Sequence, residues 1–154
     1  MFDVWHHLEK PATAWRECKR VLASGGRLII MNSAMSLVGA IVYGCFHHEL
    51  LFFRHRFNEC LEPPKAEPSS RYFAAQFAAH RVFFKRQQPR LLQDWRVLSV
   101  TPITSYSYLA SGGFRGRQLY PDAAITWMNA KDRLLVRWPK LFAARLLIVL
   151  TPHD

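Results

Sequence analysis

The residues Phe2-Asp3-Val4-Trp5-His6-His7-Leu8-Glu9-Lys10-Pro11, followed by Trp15-Arg16-Glu17-Cys18-Lys19-Arg20-Val21-Leu22 and by Ser24-Gly25-Gly26-Arg27-Leu28-Ile29-Ile30, decide the fold. Pro11 suits a first helical turn, where its missing N–H costs nothing. Ala14, Trp15, Cys18, Val21 and Leu22 then recur at helical spacing and define one apolar face, while Lys10, Arg16, Lys19 and Arg20 lie largely elsewhere. Ser24-Gly25-Gly26 ends the helix, because glycine accepts the left-handed backbone of a helix C-terminus. Arg27–Met31 reads as a short strand, apolar in succession rather than alternating, as in a central parallel strand covered by helices on both faces.

Outward from this stretch the pattern continues as an α/β chain. Ser36 to Phe46 is a second helix, weakened by Gly39 and Gly44. Glu62 to Ser70, with three prolines, is a loop. Tyr72 to Arg86 reads as helix. Trp95 to Leu109, rich in Val, Thr, Ser and Tyr, reads as strand broken by Pro102. Ser111-Gly112-Gly113-Phe114 is a turn, and Pro121 to Arg137 is a helix bounded by prolines. The apolar run Leu141 to Leu150 ends in a buried strand.

The chain has 154 residues, half of them hydrophobic and 14% aromatic, which is enough for one domain with a real core and argues against disorder. Three cysteines (Cys18, Cys45, Cys60) without paired spacing favour free thiols in a reducing, cytoplasmic setting over a disulfide framework. The first residues carry no secretory pattern. The longest apolar stretch, Ala34 to Phe46, falls short of a spanning helix, which needs roughly 18 residues. A net charge of +10 suits an anionic partner, and equally one part of a chain whose remainder is acidic.

The opening stretch resembles the middle of a class I S-adenosylmethionine (SAM)-dependent methyltransferase of the type 11-like group. There a pattern of the form D-x-x-H-H-L-x-x-P, R-V-L, G-G-R-L follows the fourth strand of a doubly wound sheet. The resemblance is specific over residues 2–32 and looser beyond. It implies an incomplete Rossmann-like methyltransferase sheet holding strands 5, 7 and 6 of the family order 3-2-1-4-5-7-6, strand 7 antiparallel between the others. Arg27–Met31 would be strand 5, Val97–Thr104 strand 6 and Leu146–Thr151 strand 7. Residues 1–154 would be a single domain, the C-terminal half of the family fold, with residues 35–90 a substrate-side insertion.

The cofactor half of that family pattern is not in these residues. SAM is held in the family by a glycine-rich turn after strand 1 and an acidic residue ending strand 2. No G-x-G occurs in the 154 residues. The expectation is that this chain does not bind SAM alone. An N-terminal half supplied by a separate chain is the partner implied. With strand 4 missing, the edge of strand 5 would be bare and prone to self-association.

By resemblance, His6 and His7 lie near the methionine end of SAM and are the catalytic candidates; structurally they also read as capping the turn before Pro11. Asp3 could bond cofactor or substrate, or be an ordinary loop carboxylate. Asn32 and Ser33, following strand 5, and His47-His48-Glu49 in the insertion fall on the substrate side; Ser33 reads equally as a helix N-cap. No metal site is expected, because adjacent histidines point apart and no H-x-x-x-H or C-x-x-C spacing exists. No serine sits in a G-x-S-x-G setting.

Arg54, Arg56, Arg81, Lys85, Arg86 and Arg90 interleave with Phe52, Phe53, Phe57, Phe83 and Phe84. The alternative function is therefore a non-enzymatic basic module on an anionic surface, membrane lipid or nucleic acid. Nucleic acid is the weaker partner, since no RNA or DNA motif is present; phenylalanines in a core beneath a solvated basic face explain the segment more simply. Under the favoured reading the acceptor is a small or lipid-linked molecule, and the location is cytoplasmic or peripheral to a membrane.

Overall fold

A computed structural model describes residues 1–8, 11–46, 79–85, 92–111 and 117–153. Three strands form its sheet: β1 (Leu28–Ser33), β2 (Trp95–Ile103) and β3 (Arg145–Pro152). The last strand lies between the first two and runs antiparallel to both, in the order β1-β3-β2. Hence β1 and β2 point the same way, and their carboxyl ends meet at Arg145, which pairs with Ser33 on one side and Ile103 on the other.

The helix α1 (Pro11–Val21) occupies the expected stretch. Trp15 is buried as predicted, but Val21, the last residue of the helix, is 66% exposed. The return turn uses both glycines. Gly25 adopts φ +71, and a Cβ on Gly26 would stand 2.7 Å from the Ala23 carbonyl oxygen. The Gly26 N–H instead donates to that oxygen, closing the turn, while its own carbonyl accepts from the Thr151 hydroxyl at 3.0 Å.

β1 extends two residues beyond the expected end, so Asn32 and Ser33 belong to the strand rather than follow it. The edge expected to be bare is partly covered. Phe2 bridges Met31 in parallel, the Met31 N–H donates to Met1 and the Asp3 N–H to Met31. The stub at residues 1–3, α1 and β1 thus make a β-α-β crossover, the unit of which doubly wound sheets are built. After the stub the chain tightens into a 3-10 turn, Trp5–His7.

One sheet face carries the core. Ile30, Leu146, Ile148 and Leu150 pack with Trp5, Trp15, Phe83 and Trp95. The rings meet edge to face or tilted, Trp15 lying 5.1 Å from Trp95 and 6.3 Å from Trp5. Such contacts add about 0.5–1.5 kcal/mol per pair to the burial itself. The other face is less covered among the described residues: Ile29 is 44% exposed, and β3 alternates buried and half-buried positions. Sequential apolar residues therefore mark an alternating strand here, not one sealed on both sides.

Two further expectations are revised. The strand predicted over Trp95–Leu109 stops at Ile103, and Tyr106–Ala110 forms a short helix, α3. Pro102 is tolerated because β2 is an edge strand. α2 (Leu37–Phe46) is capped by Ser36, not Ser33: the Ser36 hydroxyl accepts from the Gly39 N–H at 3.0 Å. The predicted C-terminal helix appears as a 3-10 turn, Asp122–Ala124, running into α4 (Ile125–Leu135), before the short α5 (Pro139–Phe142).

Of the expected helix over residues 72–86, the described part is a π-type turn, His80–Phe84. Val82 and Phe83 are buried in the shared core, and the His80 ring stacks on Phe84 at 4.9 Å. Burial, with Lys85 adding like charge, lowers the His80 pKa to about 4. Its neutral form is therefore the one that fits. As pH falls below about 6.5, the ordinary histidine value, the unfolded chain takes up a proton that the folded one refuses. Stability is then expected to decline from pH 6.5 to about 4, at up to about 1.4 kcal/mol per unit before screening by solvent. Urea midpoints measured across that window should fall in the parent and fall less in His80→Phe. Parallel slopes would show that another group dominates.

Candidate functional site

Of the polar residues that the sequence singled out, Asp3, Asn32 and Ser33 lie at the carboxyl end of β1, the end of the sheet where open α/β folds place their sites. The parallel bridge to Met31 sets Asp3 beside the end of β1, with a backbone φ of 48°, uncommon outside glycine. From there its carboxylate reaches Arg145, the first residue of β3, at 2.8 Å. Arg145 also carries its guanidinium 4.8 Å over the Tyr108 ring of α3. Ser33, its cross-strand partner, and Asn32 are both buried at this end.

Burial raises the Asp3 pKa, and the opposing pull of the Arg145 and His7 charges and of the Arg145 hydrogen bond does not reverse it. A carboxyl with a raised folded pKa contributes less stability once pH has passed through that value. A strained backbone carrying a partly desolvated carboxylate beside a cation is the combination found where structure serves a site.

α3 closes the group. The Asp132 carboxylate, reaching from α4, accepts the Tyr106 N–H at 2.9 Å and the Ser107 N–H at 3.0 Å, together with the Ser107 hydroxyl. The Tyr106 phenol is pushed above its ordinary pKa by burial first, with the Asp132 charge adding to it and a hydrogen bond with Ser36 opposing it. Beside α3, the Thr104 and Ser105 hydroxyls are buried with no hydrogen-bond partner among the described residues, as is Arg145 Nε.

The structure thus brings together Asp3, Asn32 and Ser33, with His7 near enough for its charge to act on Asp3. The His6 side chain and His47, His48 and Glu49 lie outside the described residues. So does most of the arginine–phenylalanine segment, except residues 79–85, where Phe83 is a core residue. Among the described residues no three His, Cys, Asp or Glu side chains stand together as metal ligands, and no helix is long and apolar enough to cross a membrane. Sequence reasoning missed Arg145, Asp132, Thr104 and the tyrosines of α3. Arg145 did leave a trace, as the single charge interrupting the apolar run Leu141 to Leu150.

The family model described as a methyltransferase domain matches residues 1–30, the stretch that forms the stub, the 3-10 turn, α1 and the start of β1. No curated protein and no solved structure matches. The family match supports a methyltransferase-like role.

Proposed function

We propose that these 154 residues are the C-terminal part of a class I SAM-dependent methyltransferase, with the carboxyl ends of β1 and β2 facing the methyl acceptor. The observation that carries this is the β-α-β crossover of residues 1–33, whose first 30 residues are those matched by the methyltransferase family. The antiparallel last strand between β1 and β2 supports the same reading, since that is the place of strand 7 between strands 5 and 6.

The described residues do not fit the nucleoside of SAM. Gly26 is crowded by Ala23, and Gly39 by the Ala34 and Ala143 carbonyl oxygens at 2.8 and 3.2 Å, so both are packing glycines. Gly25 serves the helix exit. None forms a cradle that a ligand's backbone contacts would fill. On this reading a segment bearing a glycine-rich turn, in the same or another polypeptide, supplies the donor. This chain contributes the acceptor side, with Asp3, His7, Asn32 and Ser33 lining it and His6 adjacent in sequence. Methyl transfer needs chiefly positioning of donor and acceptor, which the buried Asn32 and Ser33 and the Asp3–Arg145 ion pair provide.

The test is direct. The purified chain is titrated with SAM by calorimetry, alone and with a separately expressed segment carrying a strand and a G-x-G turn, and labelled methyl incorporation into a cell extract is followed. No binding alone, and incorporation only with the added segment, is the expected result. Micromolar binding by the chain alone would overturn the division of labour. Absence of incorporation under every pairing would remove the methyltransferase reading.

A further inference from the structure

The geometry points to Arg145, with the Thr104 and Ser105 hydroxyls, as the seat for an oxyanion of the methyl acceptor, a site for which Asp3 is the internal competitor. This rests on the methyltransferase reading and deepens it, by giving the acceptor a chemical class: an acid bearing a carboxylate or a phosphate.

Arg145 begins with only part of its fork in use. Asp3 accepts from Nη1 at 2.8 Å, and Nε, on the other edge of the planar group, is buried with no acceptor among the described residues. That edge, Nε with Nη2, presents two parallel N–H groups, the arrangement that matches two oxygens of a carboxylate or phosphate. A buried donor without an acceptor costs about 1–3 kcal/mol, so one left at the end of a sheet, where sites form, asks for a partner.

The neighbouring hydroxyls point to the same kind of ligand. Thr104 is 8% exposed and its Oγ1 has no partner, and Ser105 Oγ is likewise buried and unpartnered. Both follow Ile103 directly, the residue that pairs with Arg145 across β2 and β3. The backbone thus carries the fork and the two hydroxyls at the same end of the sheet, and the carboxylates bonded there, Asp3 and Asp132, already hold partners. Asp132 is filled by Tyr106 and Ser107, and Asp3 already sits on Arg145. An incoming anion completes this set, and although the two hydroxyls could also accept, the Arg145 charge beside them opposes a cation.

Tyr108 stacks on the guanidinium and holds its plane. The Asp3 carboxylate draws charge from the same fork, so an external anion binds against that pull. Removing the charge of Asp3 therefore strengthens the site, and removing the fork weakens it. Asn at position 3 retains tolerance for the positive φ found there.

The experiment follows the Arg145 Nε–H and the Thr104 and Ser105 amides by NMR while acetate, inorganic phosphate or chloride is added to the full chain. Saturable shifts with acetate or phosphate at about 1 mM or weaker are expected, the range open to so small a ligand, with chloride inert at equal ionic strength. Asp3→Asn should tighten binding by about 3- to 10-fold, while Thr104→Val should weaken it by a similar factor. Arg145→Lys, which keeps the charge and loses the fork, should weaken it at least about tenfold.

A preference for acetate identifies a carboxylic acceptor, and one for phosphate a phosphorylated one; either supports the site. Absence of saturation, an equal response to chloride, or weaker binding in Asp3→Asn overturns it. If Arg145→Lys does not fold, the opposed responses of Asp3→Asn and Thr104→Val still decide. Because no methyl donor enters the experiment, a chain that binds anions yet never transfers a methyl group would retain this site and lose only the enzymatic reading.

Discussion

Trp15→Ala is expected to remove a large share of the chain's stability. Trp15 is 4% exposed and sits at the centre of the aromatic group, 5.1 Å from Trp95, 6.1 Å from Phe83 and 6.3 Å from Trp5. It joins α1 to the start of β2 and to the segment around Phe83, elements far apart in sequence. Truncating a buried tryptophan costs about 3–5 kcal/mol, from lost burial and the cavity left behind. The whole domain has only about 5–15 kcal/mol to lose. Urea unfolding followed by far-ultraviolet circular dichroism should show a midpoint lowered to a fraction of the parent's, or a chain already unfolded in water. Trp127→Ala is the control, because Trp127 is 58% exposed and, among the described residues, has the Lys131 ammonium over its ring. A change beyond about 1 kcal/mol there, or an equal loss in the two variants, would mean that the core lies elsewhere.

Asp132→Ala is the second large effect, and it is local. One carboxylate accepts the Tyr106 N–H, the Ser107 N–H and the Ser107 hydroxyl, groups 25 and 26 residues away in sequence. A five-residue helix such as α3 has no stability of its own, since nucleation is unfavourable and few bonds follow it. Hydrogen bonds to a charged acceptor contribute about 1.5–3 kcal/mol each, less than additively when shared. Loss of Asp132 should therefore melt α3 at a cost of about 2–4 kcal/mol. It would also release the Tyr120 hydroxyl bond to the Ser107 carbonyl and the Tyr108 ring that lies against Arg145.

Hydrogen exchange reads this residue by residue. The Leu109 and Ser111 amides, which donate to Ser105 and Ser107, should exchange at least about tenfold faster, while amides of β3 change little. Asp132→Asn should lie between, because one oxygen becomes a donor facing other donors. Unchanged exchange at Leu109 would show that α3 is held by other contacts.

The family-like stretch was legible because its signals are short-range. Pro11, the spacing of Trp15 and Cys18, the Gly25-Gly26 exit and the apolar run after it each act within a few residues. The structure places α1, the turn and β1 within a residue or two of where they read. Two inferences from the same stretch went too far. Successive apolar residues in β1 suggested a strand covered on both faces, yet Ile29 is half exposed, because composition does not say which side finds a partner. The edge taken to be bare carries the Met1–Asp3 bridge, because those residues showed no strand signal of their own.

Tyr106–Ala110 was misread for a related reason. Its two tyrosines favour strand by propensity, and a distant carboxylate overrides that preference by satisfying the helix's first N–H groups. Asp3, Asn32 and Ser33 were picked out by position in a familiar pattern; the residue that ties them together, Arg145, is more than a hundred positions away. By itself, then, the sequence determined α1, its glycine exit and the strand after it, the final apolar strand and the kind of residues available for a site, because these depend on local backbone preference and periodicity. Only tertiary structure decided that the last strand lies between the first two, that Arg145 meets Asp3, and that Asp132 builds α3, because each is a long-range pairing whose partners carry no mark of one another in the chain.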